Sequence, residues 1–312
     1  MNTLIYRCFL AVAEERNFTR AANRMFVSQQ TLSHHIAKLE QEYGVTLFER
    51  SKPLKLTYAG QKMLELSQQI VNLDRQVRNE MSEISSETVG ELSIGVGRDR
   101  IYLLSSIFPQ FHKIYPNYTV HCTGGFNQQL SQLLIANKVD MILSSTAQGL
   151  IGCESEPIMN DCLVLCIHDD LLKRVVNEDV YISARKTSCI PDFGLFESCP
   201  FALANENVKS RIFAESFFRA NKLQPKIIAT ADYTEGLLSF ALSAICATIC
   251  FRAPLRNRLG QLDPKISDSI HLIQVPDLSE TMKVQATWLK ERSHSKALIF
   301  LRELLMTSGP LM

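Results

Sequence analysis

The chain has 312 residues, 46% hydrophobic and 21% charged, which suits a globular protein of two or three domains with sizeable cores. A formal charge of +1 conceals an asymmetry: residues 1–62 carry nine basic and five acidic groups, a net +4, against −3 on the remainder, so only the N-terminal end suits a polyanion. The longest apolar stretch, Leu237–Phe251, spans 15 residues and contains Ser239, Ser243 and Thr248, short of the roughly 20 that a membrane-spanning helix needs.

At the N-terminus, Leu4, Ile5, Cys8, Phe9, Val12 and Ala13 recur at helical spacing. The run ends in Ala11-Val12-Ala13, which mimics a signal-peptidase site. Arg7 interrupts it, so the expectation is a helix, a cytoplasmic location and nine free thiols. Thr19 is placed to cap a second helix, in which Ala21 and Ala22 allow close packing. Ser28 is placed to cap a third, with Leu32, Ile36 and Leu39 as its buried stripe and Gly44 as its stop. Gln30, His34, Ala37 and Lys38 face away from that stripe, Ser33 lies at its border and Gln29 in the exposed first turn. This is the pattern of a helix–turn–helix whose second helix enters a major groove, where Gln can bond adenine edges and Ser or His can bond base edges or phosphates. The solvated face of an ordinary helical bundle would look the same, and residues 21–40 leave both readings open.

The next segments favour the first reading. Val45–Arg50 and Lys55–Thr57 read as two short strands joined at Ser51-Lys52-Pro53, a basic wing whose Arg50, Lys52 and Lys55 would meet phosphates or the minor groove. Thr57 then caps a long helix with Met63, Leu66, Ile70, Leu73, Val77 and Ile84 three and four apart; Glu80 breaks the series, with Met81 beside it. Such a stripe predicts a dimerising coiled coil or a helix packed on its own chain, and paired half-sites favour the dimer. From residue 90 strands alternate with helices: "LSIGVG", "TVHC", "DMILSS", "CLVLCIH", "FALA", "KIIAT" and "CATICF". The order βαβαβ, crossover, βαβαβ, return predicts two α/β lobes with a cleft between them.

The segment "FLAVAEERNFTRAANRMFVSQQTLSHHIAKLEQEYGVTLFERSKPLKLTYAG" resembles the DNA-binding head of LysR-type transcriptional regulators. The likeness rests on Phe18-Thr19, Ala21-Ala22, Val27-Ser28-Gln29, Leu32-Ser33, Leu39-Glu40, Gly44, Leu47-Phe48-Glu49-Arg50, Leu56-Thr57 and Ala59-Gly60. More loosely, "FHKIYPNYTVHCTGGFNQQLSQLLIANKVDMIL" and "EPIMNDCLVLCIHDDLL" resemble the first effector-domain lobe and the crossover into the second. The resemblance implies an α plus α/β chain. Residues 1–60 would form a winged helix–turn–helix and residues 61–88 a dimerising linker helix. Residues 89–312 would form a two-lobed effector domain similar to periplasmic binding proteins. It further implies double-stranded DNA, a second copy of the chain (dimer or tetramer), RNA polymerase and a small-molecule effector as partners, with no cofactor and no catalysis. DNA contact is then expected from Thr19, Arg20, Ser28, Gln29, Gln30, Thr31, Ser33, His34, Lys38, Arg50, Lys52 and Lys55. The sequence departs from the family at Gln30, commonly proline, and at His34, commonly basic. It also departs at Ser243-Ala244-Ile245-Cys246, where a glycine pair is usual.

In similar folds a ligand lies between the lobes, where strand ends and helix N-termini favour anions. The positions that map there are Arg98, Asp99, Arg100, Asn127, Ser144, Ser145, Thr146, Asn205, Arg211 and Thr230, which predict a small carboxylate or similar anion. A rival signal is redox: Cys189 and Cys199 flank a Pro/Gly loop, although peroxide-sensing members carry their cysteines elsewhere. Cys162, Cys166 and His168 share a strand face, and no metal is expected from that spacing. An enzyme or transport protein is the remaining class. Gly95-x-Gly97 lacks the third glycine of a dinucleotide motif, and no GxSxG, HExxH or paired CxxC occurs.

Overall fold

The computed structural model describes residues 3–49, 53–84, 89–145, 150–188, 193–274, 281–291 and 294–308, with the backbone alone for 83 and 84. Three helices open the chain: α1 (Leu4–Glu15), α2 (Phe18–Arg24) and α3 (Gln29–Tyr43). The N-cap of α2 is Asn17, whose side chain accepts from Arg20 N, and not Thr19 as the sequence suggested: the helix begins two residues earlier. Ser28 caps α3 by accepting from Thr31 N, and Gly44 ends it at φ 64°, where a side chain would be strained. The wing strands are short, β1 (Phe48–Glu49) and β2 (Lys55–Leu56), paired antiparallel. Glu40 fastens the wing to α3, its Oε1 accepting from Leu47 N at 2.7 Å. Phe9, Leu32, Ile36, Leu39, Leu47, Phe48 and Met63 close one core beneath these elements.

The linker helix α4 (Tyr58–Ile84) begins directly after its expected cap, Thr57, whose Oγ accepts from Gly60 N at 2.9 Å, three residues ahead of the expected domain boundary. A side chain at Gly60 could not fit, because its Cβ would lie 2.1 Å from Leu47 O. One face of α4 carries buried polar groups that grip the first lobe. Arg75 pairs with Asp140 at 2.9 Å and also bonds Ser93 Oγ. Asn79 exchanges two hydrogen bonds with the backbone of Glu91, and Asn72 donates to Asn137 O. Asp74 reaches the head, accepting from Thr3 Oγ at 3.0 Å.

Lobe I holds β3 (Val89–Gly97), α5 (Tyr102–Ile114), β4 (Asn117–Gly125), α6 (Asn127–Ile135), β5 (Met141–Ser144) and β6 (Cys153–Asp161). Lobe II follows with β7 (Leu163–His168), α7 (Asp169–Val175), α8 (Glu178–Thr187), a short 3-10 turn (Phe193–Phe196), β8 (Pro200–Ala204), α9 (Lys209–Ala220), β9 (Lys226–Ala231), α10 (Thr234–Leu242), β10 (Ala247–Phe251), α11 (Arg252–Leu259), α12 (Pro264–Ser267) and β11 (Ile270–Gln274). The chain then returns to lobe I as β12 (Met282–Leu289) and α13 (Lys296–Ser308). The sheets run β4-β3-β5-β12-β6 and β11-β7-β10-β8-β9. The expected return is thus a strand inserted between β5 and β6 of the first sheet, antiparallel to both. Near-continuous apolar strands such as β7 and β10 are buried on both faces, with helices above and below. Among the described residues no helix is long and apolar enough to cross a membrane.

Candidate nucleic-acid interface and interlobe cleft

The head presents α3 as the spacing predicts. Leu32, Ile36 and Leu39 are buried, while Gln29, Gln30, Thr31, Ser33, His34 and Lys38 are exposed. Several of these groups already have partners. Thr19 Oγ donates to Gln29 Oε1 at 2.9 Å, a bond that does not use the Gln29 amide nitrogen. Ser28 Oγ and Thr31 Oγ lie 2.8 Å apart and satisfy each other as well as the helix end. Arg20, expected on DNA, bonds the Glu15 carbonyl at 2.7 Å and its carboxylate at 3.3 Å. Arg24 is held by Glu14 at 2.6 Å, and that contact raises its already high pKa. Lys55 is exposed on β2; Arg50 and Lys52 lie outside the described residues.

Along α4, Leu66, Leu73, Val77 and Met81 remain 49–54% exposed, and Ile70 is partly buried. They form one stripe opposite the face that carries Ser67, Asn72, Arg75 and Asn79. Met63 does not join them: it is buried in the core of the head, a position that heptad spacing alone cannot distinguish. The side chain of Ile84 lies outside the described residues. Met81, beside the break at Glu80, takes a place in the stripe.

Between the lobes the loop after β3 is the centre of contact. The Arg98 guanidinium lies 4.0 Å from the centroid of the Phe126 ring in lobe I and 4.8 Å from that of Tyr233 in lobe II. Asp99, at φ 63°, accepts from Thr234 N at 3.0 Å and Thr234 Oγ at 2.7 Å, so a lobe I carboxylate caps helix α10 of lobe II. Arg100 is 5% exposed and pairs with Asp161 at 3.1 Å, and the other Asp161 oxygen accepts from Ala253 N. Lys209, at the start of α9, reaches Ser145 O at 3.5 Å; burial first, and then the charge of Arg100, lower its pKa. Arg98 Nη1, Arg100 Nη1, Ser144 Oγ and Arg211 Nη1 are buried without hydrogen-bond partners. Unsatisfied donors this deep are rare unless something else completes them.

The structure therefore brings together Arg98, Asp99, Arg100, Asn127, Ser144 and Ser145; Asn127 Nδ2 donates to Ser145 Oγ at 3.1 Å. Arg211 is buried against Glu215 at 2.6 Å. Asn205 bonds Asp232 at an exposed position, and Thr230 is exposed on edge strand β9. Thr146 lies outside the described residues. Lys209, Phe126, Tyr233, Thr234 and Asp161 escaped the sequence reading. A cavity of about 210 Å³ lies between α5, α10 and α11 and shares only Asp99 with the expected set; Tyr102, Ser105, Thr234, Asn257 and Arg258 line it too.

Of the proposed redox pair, Cys189 lies outside the described residues. Cys199 is fully buried, and burial pushes its thiol up to about 12, which leaves little reactive thiolate at neutral pH. Cys166 is buried likewise and pushed up to about 12. His168 Nδ1 accepts from Asp170 N as the cap of α7. Among the described residues no three His, Cys, Asp or Glu side chains are grouped to hold a metal.

Two family models match. One, described as a bacterial regulatory helix-turn-helix protein of the lysR family, covers residues 5–61; the other, a LysR substrate binding domain, covers 85–309. The chain is 25% identical over 260 residues to the transcriptional regulator CysL of Bacillus subtilis, covering 82% of each protein. It is 29% identical over 237 residues to IlvY of Escherichia coli (75% of this chain, 76% of the relative), and 32% identical over 173 residues to OxyR of the same species (54% and 56%). Among solved structures, CbnR in complex with its target DNA matches in fold with a TM-score of 0.66 at 20% identity, over 99% of this chain and all of that one. CbnR alone matches at 0.68 and 21%, over 99% of each.

Proposed function

The chain belongs to the LysR family of DNA-binding transcriptional regulators, and from that premise we propose that it reads paired half-sites as a dimer under the control of a small anion held between its lobes. Reading falls to the exposed face of α3, with Gln29, Gln30, Ser33 and His34 at base edges and Lys38 and Lys55 toward phosphates. The exposed stripe Leu66-Leu73-Val77-Met81 brings two copies together. RNA polymerase is the further partner through which a bound dimer would act.

The observation that carries the effector is the cluster of buried, unpartnered donors at the strand ends. Arg100 Nη1 is buried near the cation of Lys209, which reaches the carbonyl of Ser145, the residue after Ser144; a carboxylate or comparable oxyanion entering there would satisfy these donors. Arg98 Nη1 belongs to the same unpartnered set, its guanidinium packed against Phe126 and Tyr233 of opposite lobes.

Two measurements test this function. Sequencing of genomic fragments retained by the purified protein at moderate salt should enrich a few sites with two-fold symmetry; diffuse, salt-sensitive retention would defeat the reading of α3. Calorimetry with a panel of small carboxylates should find a binder for the wild type whose affinity falls at least tenfold in Arg100→Met. Equal affinity in the two proteins would remove Arg100 from the site.

A further inference from the structure

Phe26 occupies the turn between α2 and α3 in a way that works against folding twice. Its φ is 54°, in the left-handed region that bulky side chains avoid. Its ring is 96% exposed, so it returns no burial for that strain. The backbone geometry is imposed by the helix end: Phe26 N donates to Asn23 O at 3.2 Å and Val27 N to Ala22 O at 3.1 Å. Met25 and Val27, on either side, turn inward onto the core of the head, which leaves Phe26 pointing out. Asparagine or glycine would meet the same turn without strain and without an exposed ring.

The position of the ring suggests what offsets this. Phe26 precedes the cap Ser28 by two residues and Gln29 by three, so its Cα lies within about 11 Å of Gln29 Cα. A major groove about 12 Å wide that admits the first turn of α3 therefore has Phe26 at its edge. A phenyl ring offers no donor or acceptor to a phosphate. The apolar feature that the major groove displays to such a ring is the 5-methyl group of thymine. We propose that Phe26 is a specificity-determining residue that packs on a thymine 5-methyl group flanking the bases approached by Gln29 and Gln30. This rests on the reading of α3 as the DNA-facing helix.

The test uses the full-length protein and a randomised double-stranded DNA library. The duplex enriched by the wild type is then remade with single thymines replaced by deoxyuridine, which removes only the methyl group. For the wild type one such replacement should weaken binding about fourfold per half-site, the equivalent of one buried methyl. Phe26→Asn should bind the parent duplex more weakly, show no penalty for that deoxyuridine, and melt at the same or a higher temperature. Phe26→Leu should keep part of the penalty. The proposal is overturned if Phe26→Asn keeps the full deoxyuridine penalty. It is also overturned if Phe26→Asn weakens binding while no deoxyuridine does so in the wild type, since the ring would then meet deoxyribose. A change in oligomeric mass alone would make Phe26 a protein contact and overturn it too. If the wild type enriches no sequence, the reading of α3 itself has failed and this inference falls with it.

Discussion

Replacing Leu73 by glutamate places a charge in the middle of the exposed stripe on α4. Leu73 is 54% exposed in the single chain, between Ile70 and Val77, so the substitution disturbs no core of its own protomer. Full burial of a leucine stabilises by about 1.5–3 kcal/mol, so burying the exposed half against a partner is worth about 1 kcal/mol. A two-fold axis counts every substitution twice, which makes the lost burial about 2 kcal/mol per dimer. The two carboxylates must also lose water or stay apart, and even partial desolvation adds about 1 kcal/mol for each. The sum, roughly 4 kcal/mol, is about a thousandfold in the dimer dissociation constant. Sedimentation equilibrium of the wild type and Leu73→Glu reads this directly, with circular dichroism confirming that both are folded. A dissociation constant that changes by less than threefold would mean the stripe faces solvent in the assembled protein, and the dimer would need another surface.

Three other outcomes follow from named contacts. Arg75→Met strands the Asp140 carboxylate, 5% exposed, without its guanidinium, and should destabilise lobe I by about 3–5 kcal/mol in denaturant unfolding. A loss below about 1 kcal/mol would show that the pair behaves like an exposed one. Burial alone would raise the pKa of Asp169, but Lys173 at 2.6 Å, His271 at 2.7 Å and Tyr181 at 2.8 Å together hold it well below the usual carboxylate range. A depressed folded pKa gives stability that is present above the unfolded value, about 4, and lost as pH falls through the folded one. Asp169→Asn should therefore melt below the wild type at pH 7, with the gap closing below about pH 4; a gap independent of pH would contradict it. Gln29→Ala should relax base preference at one operator position by about 1–3 kcal/mol, and an unaltered enriched sequence would take Gln29 out of the reading set.

The parts of this protein legible in its sequence are those governed by neighbours along the chain. The stripe Leu32-Ile36-Leu39 follows from helical period, the cap at Ser28 from a hydroxyl three residues before the amide it accepts, and the stop at Gly44 from a left-handed turn. The exposed face of α3 is the complement of its buried one. The lobes follow from strands alternating with helices, and even the return is legible, though not its place between β5 and β6 of the first sheet.

What the tertiary structure decided are pairings between residues distant in sequence. Arg100 and Asp161 lie 61 positions apart and Arg75 and Asp140 lie 65, and no local pattern tells which carboxylate a buried guanidinium will find. Arg98 looked like a free cation until folding set it against Phe126 and Tyr233. Met63 fits the heptad as well as Leu66 does, but only the packing of α4 on the head shows that one is core and the other surface. Periodicity determines which face of an element is apolar, because that depends on bond geometry within the chain. What that face and its charges meet depends on where the other elements come to rest, which only the folded chain records.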